Sequence, residues 1–198
     1  MIKTIIFDYA GVLTPTKNNY LFAKKHHKRF ELTTKELMSK TYINWQDALT
    51  SKRSESKFWK ELSKDLKINS EELRDLIIET FPLDQKILEI IDKIRGRYKI
   101  LMLSNQVESW LEKVIRDNNL RDKFHHLINS YQVGFKKPDK MIFQIALERS
   151  ESQPDEVLFI DDSEENIKTA KKLGMEVILF ENFEQFRIEF NKFVKVDQ

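Results

Sequence analysis

Residues 2–13 read Ile-Lys-Thr-Ile-Ile-Phe-Asp-Tyr-Ala-Gly-Val-Leu. Ile5, Ile6 and Phe7 form a short apolar, partly β-branched run of the kind that makes a strand buried on both faces. The run stops at a carboxylate, Asp8, with Gly11 just beyond. In open α/β sheets ligands sit at the carboxyl ends of the strands, and a nearby glycine lets the backbone turn or approach a bound group closely. By itself the stretch allows two readings of Asp8: an acid facing a ligand, or the first residue of a turn. The rest of the chain decides between them.

Beyond Pro82, strand-like runs alternate with helical patterns. Asp84 can cap a helix with Ile87, Leu88, Ile91 and Ile94 on one face, ended by Gly96, and residues 98–103 then read as a second buried strand that ends in Ser104-Asn105. A helix from about residue 107 carries Trp110, Leu111, Val114 and Ile115 on one face. Leu127 and Ile128 are a weak third strand, followed by a loop holding Ser130, Gly134, Lys136, Lys137, Pro138 and Asp139 and by a helix with Ile142, Ile145 and Ala146. Residues 157–160 make a fourth strand ending in Asp161-Asp162; a helix stopped by Gly174, a fifth strand over 177–180 and a helical tail from Phe183 complete the pattern. Such alternation predicts an α/β fold with a mainly parallel sheet and helices on both faces.

Between Pro15 and Pro82 the chain has neither glycine nor proline and no strand-like run. Thr33 with Glu36, and Asn69 with Glu72, fit the spacing of helix N-terminal caps. Ser54 can start a helix with Phe58, Trp59, Leu62 and Leu66 on its apolar face. Residues 16–82 therefore read as an inserted helical module, with residues 1–15 and 83–198 forming the core domain. The insert holds 14 Lys or Arg against 10 Asp or Glu, so the positive surplus of the chain lies there. Its densest run, residues 24–29, reads as a solvated helix face. Trp45 and Trp59 read as core aromatics. His26-His27 and His125-His126 are adjacent pairs and lack the separation of four that puts two metal ligands on one helix face.

The chain of 198 residues is 40% hydrophobic, enough to fill one good core. It has no cysteine, which removes disulfide, thiolate and zinc-thiolate chemistry and fits a reducing compartment. No apolar run approaches membrane-spanning length and no signal peptide is evident at the start, so the expected location is the cytoplasm. A formal net charge of +2 gives no global attraction to nucleic acid or to an anionic membrane. The four glycines, Gly11, Gly96, Gly134 and Gly174, are few enough that each is expected where the backbone requires one.

In a parallel sheet the carboxyl ends of all strands face one crevice, which would gather Asp8, Ser104, Asn105, Lys137, Asp161 and Asp162. Three carboxylates so placed repel one another and call for a cation. With no cysteine and no well-placed histidine, the donor set suits a hard ion, Mg²⁺, which keeps waters and accepts a substrate phosphate. Lys137 can hold a phosphate, Ser104 and Asn105 supply neutral donors, and Asp8 is the natural nucleophile toward phosphorus.

Four segments, Phe-Asp-Tyr-Ala-Gly-Val-Leu from Phe7, Leu-Ser-Asn from Leu103, Val-Gly-Phe-Lys-Lys-Pro-Asp from Val133 and Phe-Ile-Asp-Asp-Ser-Glu-Glu-Asn-Ile from Phe159, occur in an order that resembles the haloacid dehalogenase superfamily of phosphohydrolases and phosphotransferases. The resemblance implies a Rossmann-like core with a small helical cap over residues 16–82, closing about hinges near Pro15 and Pro82. It implies Asp8 as nucleophile and metal ligand, Ser104 and Asn105 on phosphate, and Lys137 as the lysine directly before proline. It also implies Asp162 as a direct Mg²⁺ ligand with Asp161 assisting or acting through water, and a small phosphorylated metabolite as substrate. Most phosphatases of the family carry a second Asp two positions after the nucleophile as general acid and base. Here that position is Ala10; the family's metal contact there is through the backbone carbonyl, so the resemblance implies that alanine can keep the contact while the proton shuttle is lost.

The loss leaves a second expectation open, a non-catalytic member that binds a phosphorylated ligand or a protein partner. Two other members lack the second Asp. The 2-haloacid dehalogenases work without metal, for which Asp161-Asp162 is a poor setting. Phosphonoacetaldehyde hydrolases carry Asp-x-Ala but need a cap lysine, for which Lys52 is one of many candidates.

Overall fold

The structure is a computed structural model and describes residues 1–43 and 45–195. Strand β1 (Thr4–Phe7) is followed by five helices, α1 (Tyr20–His26), α2 (Thr34–Tyr42), α3 (Trp45–Ala48), α4 (Glu55–Asp65) and α5 (Ser70–Ile78). The chain then alternates: α6 (Gln85–Ile94), β2 (Lys99–Ser104), α7 (Glu108–Asp117), β3 (His126–Asn129), α8 (Ser130–Val133), α9 (Lys140–Ser150), β4 (Val157–Asp161), α10 (Glu164–Lys172), β5 (Glu176–Leu179) and α11 (Phe183–Phe193).

The five strands form one parallel sheet in the order β3-β2-β1-β4-β5, as the alternation predicts. Every residue of β1 and β4 is buried, the signature of a sheet covered on both faces. Successive side chains point to opposite faces. Ile5, Phe7, Ile100, Met102, Leu158 and Ile160 meet the apolar faces of α6, α7 and α11, whereas Ile6, Leu101, Leu103, Ile128, Val157 and Phe159 meet α9 and α10. The observed strands begin or end one or two residues from the sequence reading, because cross-strand pairing rather than apolarity sets their ends. Thus β2 extends to Ser104, opposite Asn129.

The caps read from spacing are present. At Thr33 the hydroxyl accepts the Glu36 amide and the Glu36 carboxylate returns to the Thr33 amide. Asn69 takes the Glu71 and Glu72 amides, and Ser54 takes that of Lys57. Gly96 departs from expectation, since a Cβ there would meet nothing within 4 Å and α6 already ends at Ile94. Trp45 and Trp59 are core residues, packed edge-on at 6.0 Å. Trp45 also meets Trp110 of α7 at 5.5 Å, so the helices after β1 share a core with the sheet. Residues 13–16 and 80–84 run side by side, with Thr16 Oγ1 donating to Thr80 O at 2.7 Å and Asp84 N to Leu13 O at 2.8 Å.

Candidate active site

The sheet changes direction of winding at β1. The chain steps outward through β2 and β3, then crosses back to place β4 on the other side of β1. The crevice outside such a switch point is where open α/β sheets bind ligands. Asp8 is the first residue past β1 and stays in the ladder, its amide donating to Ile160 O at 2.9 Å, while Asp161 ends β4. Two carboxylates are thereby fixed side by side by backbone pairing alone. With Asp162 they offer oxygens that all lie within 4.8 Å of one another.

Lys137 arrives from the loop between α8 and α9. Its Nζ lies 2.6 Å from Asp8 Oδ1 and 2.7 Å from Asp161 Oδ2, with the side chain 2% exposed. Asn105 holds this loop in place: its Oδ1 accepts the Lys137 amide at 2.8 Å and its Nδ2 donates to the Lys137 carbonyl at 2.9 Å. Ser104 is buried at the end of β2 beside it. Asp161 Oδ1 is filled by the Ser163 amide at 2.8 Å and Asn166 Nδ2 at 2.9 Å. Its two oxygens are thus spent on protein donors, leaving Asp162 the less committed of the pair. Asp162 faces Lys17, whose Nζ lies 2.9 Å from Oδ2. Gly11 is required here twice over: its φ is +96°, and a Cβ would lie 2.5 Å from the Asp162 carboxylate.

Burial pushes the Asp8 carboxyl well above the ordinary aspartate range; Asp161 and, less strongly, Asp162 push the same way, and Lys137 pulls against them. For Lys137 burial acts to lower the ammonium, yet Asp161 and Asp8 together hold it above the usual lysine value, so it stays charged. Beside the nucleophile position, burial drives the Tyr9 phenol up to about 12, and its hydroxyl meets Trp110 Nε1 at 3.4 Å. Three carboxylates face one buried lysine, Lys137, and one half-exposed lysine, Lys17, so negative charge is in excess. An all-oxygen set with surplus negative charge, where the glycine Cα makes room for one carboxylate, fits a hard divalent cation.

A cavity of about 630 Å³ opens over Asp8, Ala10, Ser104, Asn105 and Lys137 and rises to α2 and α3. Asp8, Ser104, Asn105 and Lys137 line it, and Asp161 and Asp162 lie against Asp8, so the candidate residues are brought together, with Lys137 supplied by the loop after α8 instead of by a strand end. A groove of similar volume, about 640 Å³, between α6 and α11 contains none of them. The sequence reading missed the upper wall, where Lys17, Asn18, Tyr42, Gln46 and Lys136 stand. Lys136 lies within the segment quoted from Val133 to Asp139, but nothing in the spacing of the other four signals a site. Asn166 carried a signal, since it lies within the segment quoted from Phe159 to Ile167.

A sequence profile described as haloacid dehalogenase-like hydrolase matches residues 2–174. The chain belongs to this family. A D-ribitol-5-phosphate phosphatase of Bacteroides thetaiotaomicron is 31% identical over 202 residues, covering 96% of this chain and 97% of the relative. Among solved structures, a HAD-like family hydrolase from Porphyromonas gingivalis superposes with a TM-score of 0.78 at 24% identity, covering 97% of each chain. A HAD family enzyme from B. thetaiotaomicron in complex with magnesium and inorganic phosphate gives 0.73 at 22% identity, covering 90% of this chain and 93% of the other. At these identities the structural likeness speaks for the fold, a Rossmann-like α/β core. Among the described residues no helix is long and apolar enough to cross a membrane.

Proposed function

We propose that the protein is a magnesium-dependent phosphatase that hydrolyses a small phosphorylated metabolite through an aspartyl-phosphate on Asp8, with residues 16–82 as its cap domain. The observation that carries this reading is the buried ion cluster in which Lys137 bridges Asp8 and Asp161 with Asp162 alongside. The close relation to a phosphatase that acts on D-ribitol 5-phosphate supports the same class of substrate.

Asp8, Asp162 and the Ala10 carbonyl are the groups that would hold magnesium, with Asp161 in support; the ion supplies charge neutralisation of the phosphate oxygens. Lys137 keeps its proton and draws the phosphate toward Asp8, and Ser104 and Asn105 line the same floor. An Asp8 oxygen attacks phosphorus as the bond to the leaving oxygen breaks. Water then attacks the phosphorus of the acyl phosphate, releasing inorganic phosphate and restoring the Asp8 carboxylate. Ala10 cannot protonate the leaving oxygen, so that proton comes from water or from the substrate itself. Without that donor a leaving group of low pKa is released faster, and an alkoxide more slowly, than in a site that carries the acid.

Phosphate release from acetyl phosphate, p-nitrophenyl phosphate and D-ribitol 5-phosphate, with magnesium or with chelator, tests the proposal. Turnover is expected to need magnesium and to fall at least about 10⁴-fold in Asp8→Asn. Undiminished activity in Asp8→Asn rules the mechanism out. Ala10 also favours a second reading, a protein that binds a phosphorylated ligand without turning it over. Magnesium-dependent binding with no release of phosphate from any substrate would select it.

A further inference from the structure

Lys136 and Lys137 are neighbours whose ammonium groups go opposite ways. Lys137 descends into the Asp8–Asp161 pair, whereas Lys136 Nζ donates to Gln46 Oε1 of α3. Gln46 Nε2 in turn donates to the Tyr42 hydroxyl of α2 at 2.8 Å. All three residues line the cavity above Asp8, so this polar chain crosses from the floor loop to the upper wall. With the phosphate met by Lys137, the chain faces whatever the phosphate is attached to.

We propose that Gln46 and Lys136 are the specificity-determining residues for the leaving group, and that this group is a hydroxylated carbon chain, making the substrate a polyol-type phosphomonoester. The inference rests on the reading of Asp8 and Lys137 as the phosphate end of the site. Its chemistry comes from the wall itself. Amide and phenol groups both donate and accept, as alcohol hydroxyls do, and the amides of Asn18, whose Oδ1 accepts the Tyr20 amide at 2.9 Å, and Asn19 line the same cavity. A row of hydroxyls can replace the Lys136–Gln46–Tyr42 links one for one. A leaving group without hydroxyls would break those links and return nothing, which is the kind of mismatch that discriminates strongly.

Other leaving groups fit less well. Asp8 is the sole carboxylate among the described residues lining the cavity, so a cationic leaving group finds no partner in the wall. A nucleobase would need an open aromatic face. Trp45 is 9% exposed and Trp110 1%, they pack edge-on against each other, and Phe81 covers Trp110 at 4.9 Å. Those rings are occupied with one another; the exposed ring of the wall, Tyr42, is tied through its hydroxyl to Gln46, and stacking of a base on it is what the nucleotide probe below tests.

Binding by calorimetry in an Asp8→Asn background with magnesium separates this inference from the question of turnover. The probes are inorganic phosphate, D-ribitol 5-phosphate and uridine 5′-monophosphate, and the variants are Gln46→Leu and Lys136→Met. Each variant is expected to weaken D-ribitol 5-phosphate about 10-fold, the scale of one lost hydrogen bond, and to move inorganic phosphate by less than about 2-fold. The phosphate control shows that the variant is folded and its floor intact. Equal weakening of both ligands, no weakening of D-ribitol 5-phosphate, or tighter binding of the nucleotide than of the polyol phosphate by the parent would overturn the proposal. An enzyme that binds as expected but releases no phosphate would instead count against the phosphatase reading and leave this one standing.

Discussion

The floor and the upper wall of the cavity are built by opposite rules. On the floor, Asp8 is 7% exposed, Lys137 4% and Asp161 0%, and each is placed by the end of a buried strand or by a side chain clamped to one. On the wall, Tyr42 is 57% exposed, Lys17 is also exposed and Gln46 half-buried, all on or beside helices outside the sheet. Charge in a dry, fixed setting interacts strongly and is costly to unbalance; polar groups at a wet edge exchange partners at little cost. On the proposed function the floor carries the reaction and the wall selects among substrates.

The comparison breaks most easily at Lys137. Lys137→Met leaves Asp8 and Asp161 buried against each other without their cation, and about 3–5 kcal/mol of stability should be lost along with phosphate affinity. Urea denaturation without magnesium measures it. A loss under about 1 kcal/mol would put the floor on the same footing as an exposed pair.

Ala10→Asp sharpens the contrast next, because it adds to the floor the one group the proposed chemistry lacks. Turnover of D-ribitol 5-phosphate should rise by about 10² to 10⁴, the usual worth of general acid-base help, and turnover of acetyl phosphate much less. An equal gain on both substrates would point to altered metal binding instead of proton transfer.

Glu55 lies outside both regions and ties the helices that carry the wall to α7 of the core. It is 7% exposed on α4, accepts the Trp59 indole at 2.8 Å, and takes the Ser109 amide and hydroxyl at the start of α7. Val107, the N-cap of α7, gives no side-chain cap, so a carboxylate from another segment does that work. Glu55→Ala should cost about 2 kcal/mol in thermal or urea unfolding, and Glu55→Gln less, since the amide oxygen still accepts. Equal losses would mean that packing, not capping, is what Glu55 provides.

How legible each part was follows from the same division. Apolar runs that end in Asp8, Ser104-Asn105 and Asp161-Asp162 announce a parallel sheet and the contents of its crevice, because the run and the polar residues that follow it are local in sequence, and cross-strand pairing moves the strand ends by only a residue or two. The clamp of Asn105 on the Lys137 backbone, and the room Gly11 makes for Asp162, depend on the crossing of loops distant in sequence, and no spacing encodes them. The wall was harder still. The conspicuous run at 24–29 is a solvated face, as its charge pattern predicts: Lys24, Lys25, Lys28 and Arg29 are exposed, with Arg29 paired to Glu72. Of the residues that reach the cavity, Tyr42 and Gln46 look ordinary in sequence, and Lys136 stands in a quoted segment but is overshadowed by Lys137 before the proline. Which way a helix presents such residues is decided by the packing of Trp45 on Trp59 and Trp110.

Lys17 gives the smallest expected effect and the finest test of the division. It belongs to the wall by exposure, 53% for the side chain, yet it pairs with Asp162, the floor carboxylate least committed to other protein donors. An exposed pair of this kind is worth about 0–1 kcal/mol. The Lys17 ammonium stands where a divalent ion would draw on the same carboxylate, so the two cations oppose each other by competition and by repulsion. Lys17→Met should therefore tighten magnesium binding by up to about 5-fold, read by calorimetry or by the fluorescence of the neighbouring tryptophans. The gain should shrink as salt is raised, because an exposed charge is screened. Weaker magnesium binding in Lys17→Met would instead make Lys17 part of the floor, a residue that orders Asp162 for the ion, and would move the boundary between the two regions one side chain outward.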